Sequence, residues 1–377
     1  MDFIGNDDMQ DYSHFTPSKD VELAREMIKE GIMSEHHRSR KKKLVILFST
    51  AVVFFTVCII LGEILIAIVS PQETEFPRAE YSAEYGFMNY KNTKIVNEKK
   101  GKWRFVYTTN QFRNRGKPVS ISNEYDIPNI IILGDSYSFG IGVNDGEEYA
   151  SIMTNNLKGK YNVVNTAVGG WGLTQQIRRY YEFGQLYLPK IVLLQFCLND
   201  LNDNYNNQVT IIENGKFKFI DSKSDINWIK KYLSASFIQK SQIYSLLRNS
   251  VYIYFAQRHM QSAVERMAQE VKTDNIPVRE QFYNDLLEMF ANDLKRRGIR
   301  LIMISVNDQL RKAPHVKAKV LDLDARGLLD YIEVADFFVG VTDYSSLQGH
   351  IWGKKAHHIL GEKLSEIILS SSINNSM

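Results

Sequence analysis

Four short segments of the chain carry residue types that acyl transfer through a serine would need. The first, Gly134-Asp135-Ser136-Tyr137-Ser138-Phe139-Gly140, directly follows the apolar run Ile130–Leu133, which reads as a buried strand. A serine on a strand-to-helix turn sits in the positive end of the helix dipole, where its own backbone N–H can face a developing oxyanion. The second, Asn165-Thr166-Ala167-Val168-Gly169-Gly170-Trp171-Gly172, has three glycines in four positions, so the backbone can approach closely and adopt unusual dihedrals. The third, Phe196-Cys197-Leu198-Asn199-Asp200, offers the Asn199 side-chain amide as a further donor. The fourth, Gly349-His350, offers an imidazole that can take the serine proton. Each has a bland counterpart: a serine N-cap, a flexible turn, an Asx-turn, and a lone histidine with His357 and His358 close by.

Something must bring segments more than 200 residues apart to one place, and the alternation of elements suggests what. Tyr149–Leu157 reads as a helix, Tyr161–Asn165 as a strand, Thr174–Phe183 as a helix and Ile191–Phe196 as a third strand. Strands separated by helices imply βαβ units and a parallel sheet covered on both faces, with ligands at the carboxyl ends of its strands. The pattern is then interrupted. Thr210–Ile220 reads as a hairpin around Asn214-Gly215, and residues 225–272 look helical and amphipathic. It resumes with a helix at Arg279–Arg297, a strand at Leu301–Val306, a helix near Val316–Leu323 and a last helix from Lys354 to about Leu369. Residues 205–278 are thus an insertion over a single α/β domain spanning 126–377, preceded by a polar, tyrosine-rich connection from 70 to 125.

A GDS turn, a glycine turn, an asparagine after the next strand and a histidine before the last helix together resemble the block order of the SGNH (GDSL) hydrolases. The resemblance covers roughly residues 105–370. It extends to a membrane-anchored bacterial subgroup, through an asparagine-and-arginine motif at Asn110–Gly116, the block GDSYSFGIGV and the strand end Gln195–Asp200. The resemblance implies a flavodoxin-like three-layer sandwich with a parallel sheet. It further implies Ser136 as nucleophile, His350 as general base, and an oxyanion hole made of the Ser136 N–H, the Gly170 N–H and the Asn199 amide. Gly170 is taken over Gly169 because its spacing from Asn165 fits the family better. The family's acid, two or three residues before the histidine, is replaced here by Gln348 and Leu347. Either Asp343 curls back to His350, or a Ser–His dyad is steadied by Gln348.

Ahead of this domain, Leu44–Gly62 contains nineteen residues without a charge, and after Glu63 the apolar run resumes to Val69. Such a length crosses a bilayer as a helix. Arg38, Arg40, Lys41, Lys42 and Lys43 precede it and mainly acidic residues follow, so the positive-inside rule expects residues 1–43 in the cytoplasm and everything after Pro71 outside. Within the tail, Thr16-Pro17 opens a helical pattern through Val21, Ala24, Met27 and Ile28. The net charge of +3, from 46 basic and 43 acidic residues, points to no nucleic acid. Two cysteines, Cys58 and Cys197, exclude a disulfide scaffold or a cysteine-rich metal site. The reading expects no cofactor. It expects a membrane-tethered serine esterase or acyltransferase acting on O-acetyl groups of an exported glycan. A lipid esterase and a catalytically weak glycan-binding subunit are the alternatives.

Overall fold

The computed structural model describes residues 19–74, 79–121, 127–222, 238, 240–250 and 277–374. The chain divides into two compact units, one ending at Leu65 and the other beginning at Ile66. Helix α1, Lys19–Val69, is continuous, so the tail helix and the apolar span expected separately are one element. No proline falls between Pro17 and Pro71 to break it, and it ends just ahead of Pro71. Thr16 and Pro17 lie outside the described residues. The stretch Arg40–Val69 is long and apolar enough to cross a membrane, and Phe48, Phe54, Phe55 and Leu65 on it are all exposed. The hydroxyls of Ser49, Thr50 and Thr56 donate to carbonyls four residues back at 2.8–2.9 Å, so no polar group on these side chains is left to the apolar surroundings.

The second unit is built on a five-stranded sheet. Its strands are β6 (Asn129–Leu133), β7 (Asn162–Asn165), β8 (Pro189–Phe196), β11 (Arg300–Ser305) and β12 (Asp330–Ile332), in the order β7-β6-β8-β11-β12 and all parallel. In sheet numbering this is 2-1-3-4-5, the doubly wound order, whose switch point lies between β6 and β8. Successive side chains divide between the two faces. Ile131, Leu133, Val192, Leu194, Leu301 and Met303 pack into one core with helices α4 (Leu173–Glu182), α6 (Val278–Arg296) and α7 (Pro314–Ala325). Ile130, Ile132, Ile191, Leu193, Ile302 and Ile304 pack into the other with α3 (Tyr149–Asn156) and α8 (Lys354–Asn374). A strand buried on both faces is apolar at consecutive positions, which is why these runs do not alternate in the sequence. The result is the expected three-layer α/β sandwich. β12 is an addition to the expected strands. Its sequence Asp330-Tyr331-Ile332 is only three residues long and carries no apolar run.

The connection at 70–125 is more ordered than its composition suggests. It holds β1 (Glu73–Thr74), β2 (Ala79–Ser82), β3 (Gly86–Asn89), β4 (Lys94–Lys99) and β5 (Trp103–Thr108), arranged as a β1-β4-β5 antiparallel sheet and a β2-β3 pair. Ile95, Phe105 and Tyr107 pack on Phe139, Ile141 and Ala167, and Tyr85 and Met88 pack on Val168 and Trp171. These strands therefore press on the turns that follow β6 and β7. The hairpin forms as expected from β9 (Thr210–Glu213) and β10 (Lys216–Phe219), with Asn214 and Gly215 both at positive φ (51° and 68°), as a two-residue primed turn requires. Most of the helical pattern expected over 225–272 lies outside the described residues.

Candidate active site

Ser136 opens the one-turn helix α2 (Ser136–Phe139) at the carboxyl end of β6, and Asn199 follows β8 at the start of α5 (Asp200–Asn206), so both stand at the switch point of the sheet. The turn is fixed from three directions. The Asp135 carboxylate caps α2 by accepting from the Tyr137 N–H at 2.9 Å. Gln195 Oε1, reaching over from β8, accepts from the Asp135 N–H at 3.2 Å, the Ser138 N–H at 3.3 Å and the Ser138 hydroxyl at 3.0 Å. A Cβ on Gly134 would come within 2.5 Å of Ser138 Oγ and 2.7 Å of Gln195 Oε1, so only glycine fits beneath the turn.

The third support is Arg115, whose side chain is fully buried. It donates to the carbonyls of Phe139, Gly140 and Val143, the last at 2.8 Å, and faces Asp145 at 3.2 Å and Glu148 at 3.6 Å. Its guanidinium also lies over the Tyr107 and Phe139 rings. Asn110 orders the segment that delivers it: its Oδ1 accepts from the N–H groups of Phe112 (2.9 Å) and Asn114 (3.2 Å). This is the physical content of the asparagine-and-arginine motif. It clamps the chain that leaves the Ser136 turn.

His350 Nε2 lies 3.0 Å from Ser136 Oγ across 214 residues of sequence. The loop before α8 that carries it is held by the His350 N–H to Ser346 Oγ (3.0 Å) and the Ser346 N–H to the His350 carbonyl (2.8 Å). The Tyr137 ring meets the imidazole edge-on. Asp343 does not curl back. It is exposed, at φ +55°, and makes no hydrogen bond or ion pair among the described residues. Gln348 instead lies against the nucleophile side, 3.7 Å from the position a Gly142 Cβ would take. His357 and His358 are apart from this pair. His357 is buried between Tyr149 and Trp352, accepts from the Tyr149 N–H, and is driven down to about 3 by burial and then by the positive Arg115. His358 pairs with Glu362 on α8.

The donors gathered around Ser136 differ in how they are engaged. The N–H groups of Ser136 and Gly170 make no hydrogen bond among the described residues. Gly170 has φ +83°, and the position of its missing Cβ faces Phe87, whereas that of Gly169 is 3.5 Å from Ser136 Cβ. The Asn199 amide is occupied: it donates to Asp203 at 2.7 Å and to Asp135 at 3.3 Å. Burial pushes the carboxyls of Asp135 and Asp203 up to about 6, against the lowering effect of these hydrogen bonds, and raises Asp200 well above the usual range. Among the described residues, no group of three or more His, Cys, Asp and Glu is arranged to hold a metal ion.

Three contributors went unread in the sequence: Arg115 as the clamp, Gln195 as the strut under the turn, and Asp203 as the anchor of Asn199. Asp203 was findable, because four residues after Asn199 on a helix is one turn away. Gln195 shows only that a polar residue interrupts an apolar strand, which marks it without naming its partner.

No family model and no curated protein sequence matches the chain. Among solved structures, TesA aligns at 13% identity and a TM-score of 0.37, covering 62% of this chain and 94% of TesA. The esterase EstA from Pseudoalteromonas sp. aligns at 11% identity and 0.38, covering 65% and 98%, and the acetyl xylan esterase AlAXEase at 14% and 0.37, covering 64% and 99%. In its 2-1-3-4-5 sheet and in the ordered placement of Ser136, Asn199 and His350 at one switch point, the chain resembles the SGNH (GDSL) hydrolases.

Proposed function

We propose that the chain is a membrane-tethered serine esterase that removes O-acetyl or similar short acyl groups from an exported glycan. The observation that carries this reading is the 3.0 Å contact between Ser136 Oγ and His350 Nε2 at the sheet's switch point. With Nδ1 protonated, His350 Nε2 accepts the Ser136 proton while Oγ attacks the acyl carbonyl. The oxyanion takes the Ser136 and Gly170 N–H groups, and the Asn199 amide exchanges its longer contact, to Asp135, for the same oxygen. Collapse breaks the ester C–O bond, the proton returns from His350 to the departing alkoxide, and the acyl group stays on Ser136. Water, or a second sugar hydroxyl in a transferase, then takes it by the reverse proton path.

The apolar stretch of α1 and the basic residues before Leu44 support an anchor with the second unit on the export side, where glycans are modified. The test is a fluorophosphonate probe applied to the full chain in detergent. Labelling is expected at Ser136, and Ser136→Ala is expected to remove both the label and at least about 10³ of the turnover of 4-nitrophenyl acetate, with an unchanged melting curve. Full turnover in a folded Ser136→Ala protein refutes the reading.

A further inference from the structure

On the far side of the loop that carries His350 lies a cavity of about 680 Å³, between β5, the 142–147 turn, residues 343–348 and the start of α8. This volume lies within the range of small-ligand sites, and Ser136 and His350 are not part of its wall. We propose that the cavity binds one neutral pyranose unit of the glycan whose ester is cleaved at Ser136, an inference that rests on the esterase reading only for which glycan arrives.

Its wall has the composition that sugar recognition needs. Trp103 and Phe105, on one face of β5, stack with ring centroids 5.1 Å apart. Phe105 is buried while Trp103 is only partly covered, so the pair offers a rigid aromatic surface for the C–H face of a pyranose ring. Three polar groups of the wall have no partner among the described residues: the Trp103 indole N–H, the Ser345 hydroxyl and the Asp343 carboxylate. Together they provide donors and an ionised acceptor, the mixture that vicinal sugar hydroxyls satisfy.

Charge argues for a neutral ring. Two of the wall's cations are already matched, Arg104 by Glu98 at 3.1 Å and Lys354 by Glu147 at 2.8 Å, and His358 lies 3.3 Å from Glu362. The remaining cation, Lys355, donates to the Thr342 carbonyl, and its formal charge is balanced, without contact, by the wall's unpaired Asp343. No net charge is left to select an anionic sugar. The placement also gives the loop two faces with separate tasks. Ser346 bonds the His350 N–H and also lines the cavity, so a ring seated there steadies the segment that presents the base.

The test is an array of neutral and acidic oligosaccharides, with the full chain in detergent carrying Ser136→Ala so that any ester survives. Saturable binding to neutral glycans is expected, falling about tenfold with Trp103→Ala and several-fold with Ser345→Ala, an exposed position at which folding is secure. No neutral glycan bound, equal binding by the Trp103→Ala chain, or selection of acidic glycans each overturns the inference. Fluorophosphonate labelling of the unmodified chain is read in parallel: loss of glycan binding with labelling intact fails this site alone, whereas absent labelling fails the esterase reading.

Discussion

The two halves of the Ser–His pair are held in opposite ways. The turn that carries Ser136 is largely buried, capped by Asp135, strutted by Gln195 and clamped by Arg115, while the Ser136 N–H itself is left without a partner among the described residues. The loop that brings the base, 343–350, is largely exposed. It is closed by a reciprocal pair of bonds between Ser346 and His350, and Leu347 at its tip is 82% exposed. The difference follows from what each does in the proposed reaction. An oxyanion hole works only if its donors are set before the reaction, whereas a general base needs one contact of the right length and can be brought to it by a loop.

The largest test of that contrast is the clamp. Arg115→Met removes a buried cation that serves three carbonyls and leaves Glu148 buried without its counterion. A loss of about 3–5 kcal/mol in unfolding free energy is expected, as for one partner removed from a buried pair. Chemical denaturation of the second unit measures it. A change below about 1 kcal/mol would mean that the strands of 79–108 and Gln195 hold the turn without Arg115.

Next in size is Asn199, the proposed oxyanion donor. Asn199→Ala is expected to lower kcat by about 10²–10³ with little change in KM, as loss of one preorganised donor does. Asp203→Ala, which frees the amide without deleting it, is expected to cost less, about tenfold, and to change the acid limb of the pH–rate profile. Burial pushes the two carboxyls that hold Asn199 up to about 6, so protonation below that pH loosens both contacts in the native chain but only the Asp135 contact in the variant. Equal losses in both variants would mean that Asp203 supports the fold and not the amide.

How much of this could be read beforehand differs along the same line. Ser136, Asn199 and His350 could be singled out because each lies next to the end of an element and their order resembles the SGNH blocks, and the structure brings Ser136 and His350 within 3.0 Å. Arg115 and Gln195 act through side-chain contacts between segments, which no local pattern encodes, whereas Asp203 lies one helical turn after Asn199 and was within reach of one. The strands of 71–125 fell between the two cases. Trp103, Phe105 and Tyr107 do fall at every second position, the period of a strand, but Val106 between them and the many charges around them hid it. Asp343 marks the opposite failure: its chemical type suited the missing acid, yet a left-handed backbone and an exposed loop turn it elsewhere.

A smaller effect tests the buried histidine beneath the site. His357 is held near pKa 3 when folded, against 6.5 when unfolded, so the unfolded chain binds the extra proton between these values. Stability contributed by the neutral ring is therefore complete above about 6.5 and lost as pH falls toward 3. His357→Phe is expected to flatten that decline in a melting-temperature series from pH 7 to 4, where Asp135 and Asp203, raised by burial, act in the opposite sense. An unchanged slope would mean that the imidazole is not sealed from water as its burial indicates.

The smallest expected effect bears most directly on the loop. Were Asp343 the missing acid, Asp343→Asn would cut turnover by about 10⁴, as loss of an orienting carboxylate does in the serine proteases. The exposed carboxylate makes no bond to His350, so turnover of 4-nitrophenyl acetate by Asp343→Asn is expected to stay within about twofold of the unmodified chain. Gln348→Asp then separates what remains. Gln348 packs beside Gly142, two residues before the base, and a carboxylate there can stabilise the imidazolium that forms as Ser136 gives up its proton. A rise in kcat with Gln348→Asp, together with silence at 343, identifies a dyad that lacks its acid. A large loss with Asp343→Asn in a folded chain would instead mean that the loop closes on the base during turnover, and that its openness belongs only to the resting enzyme.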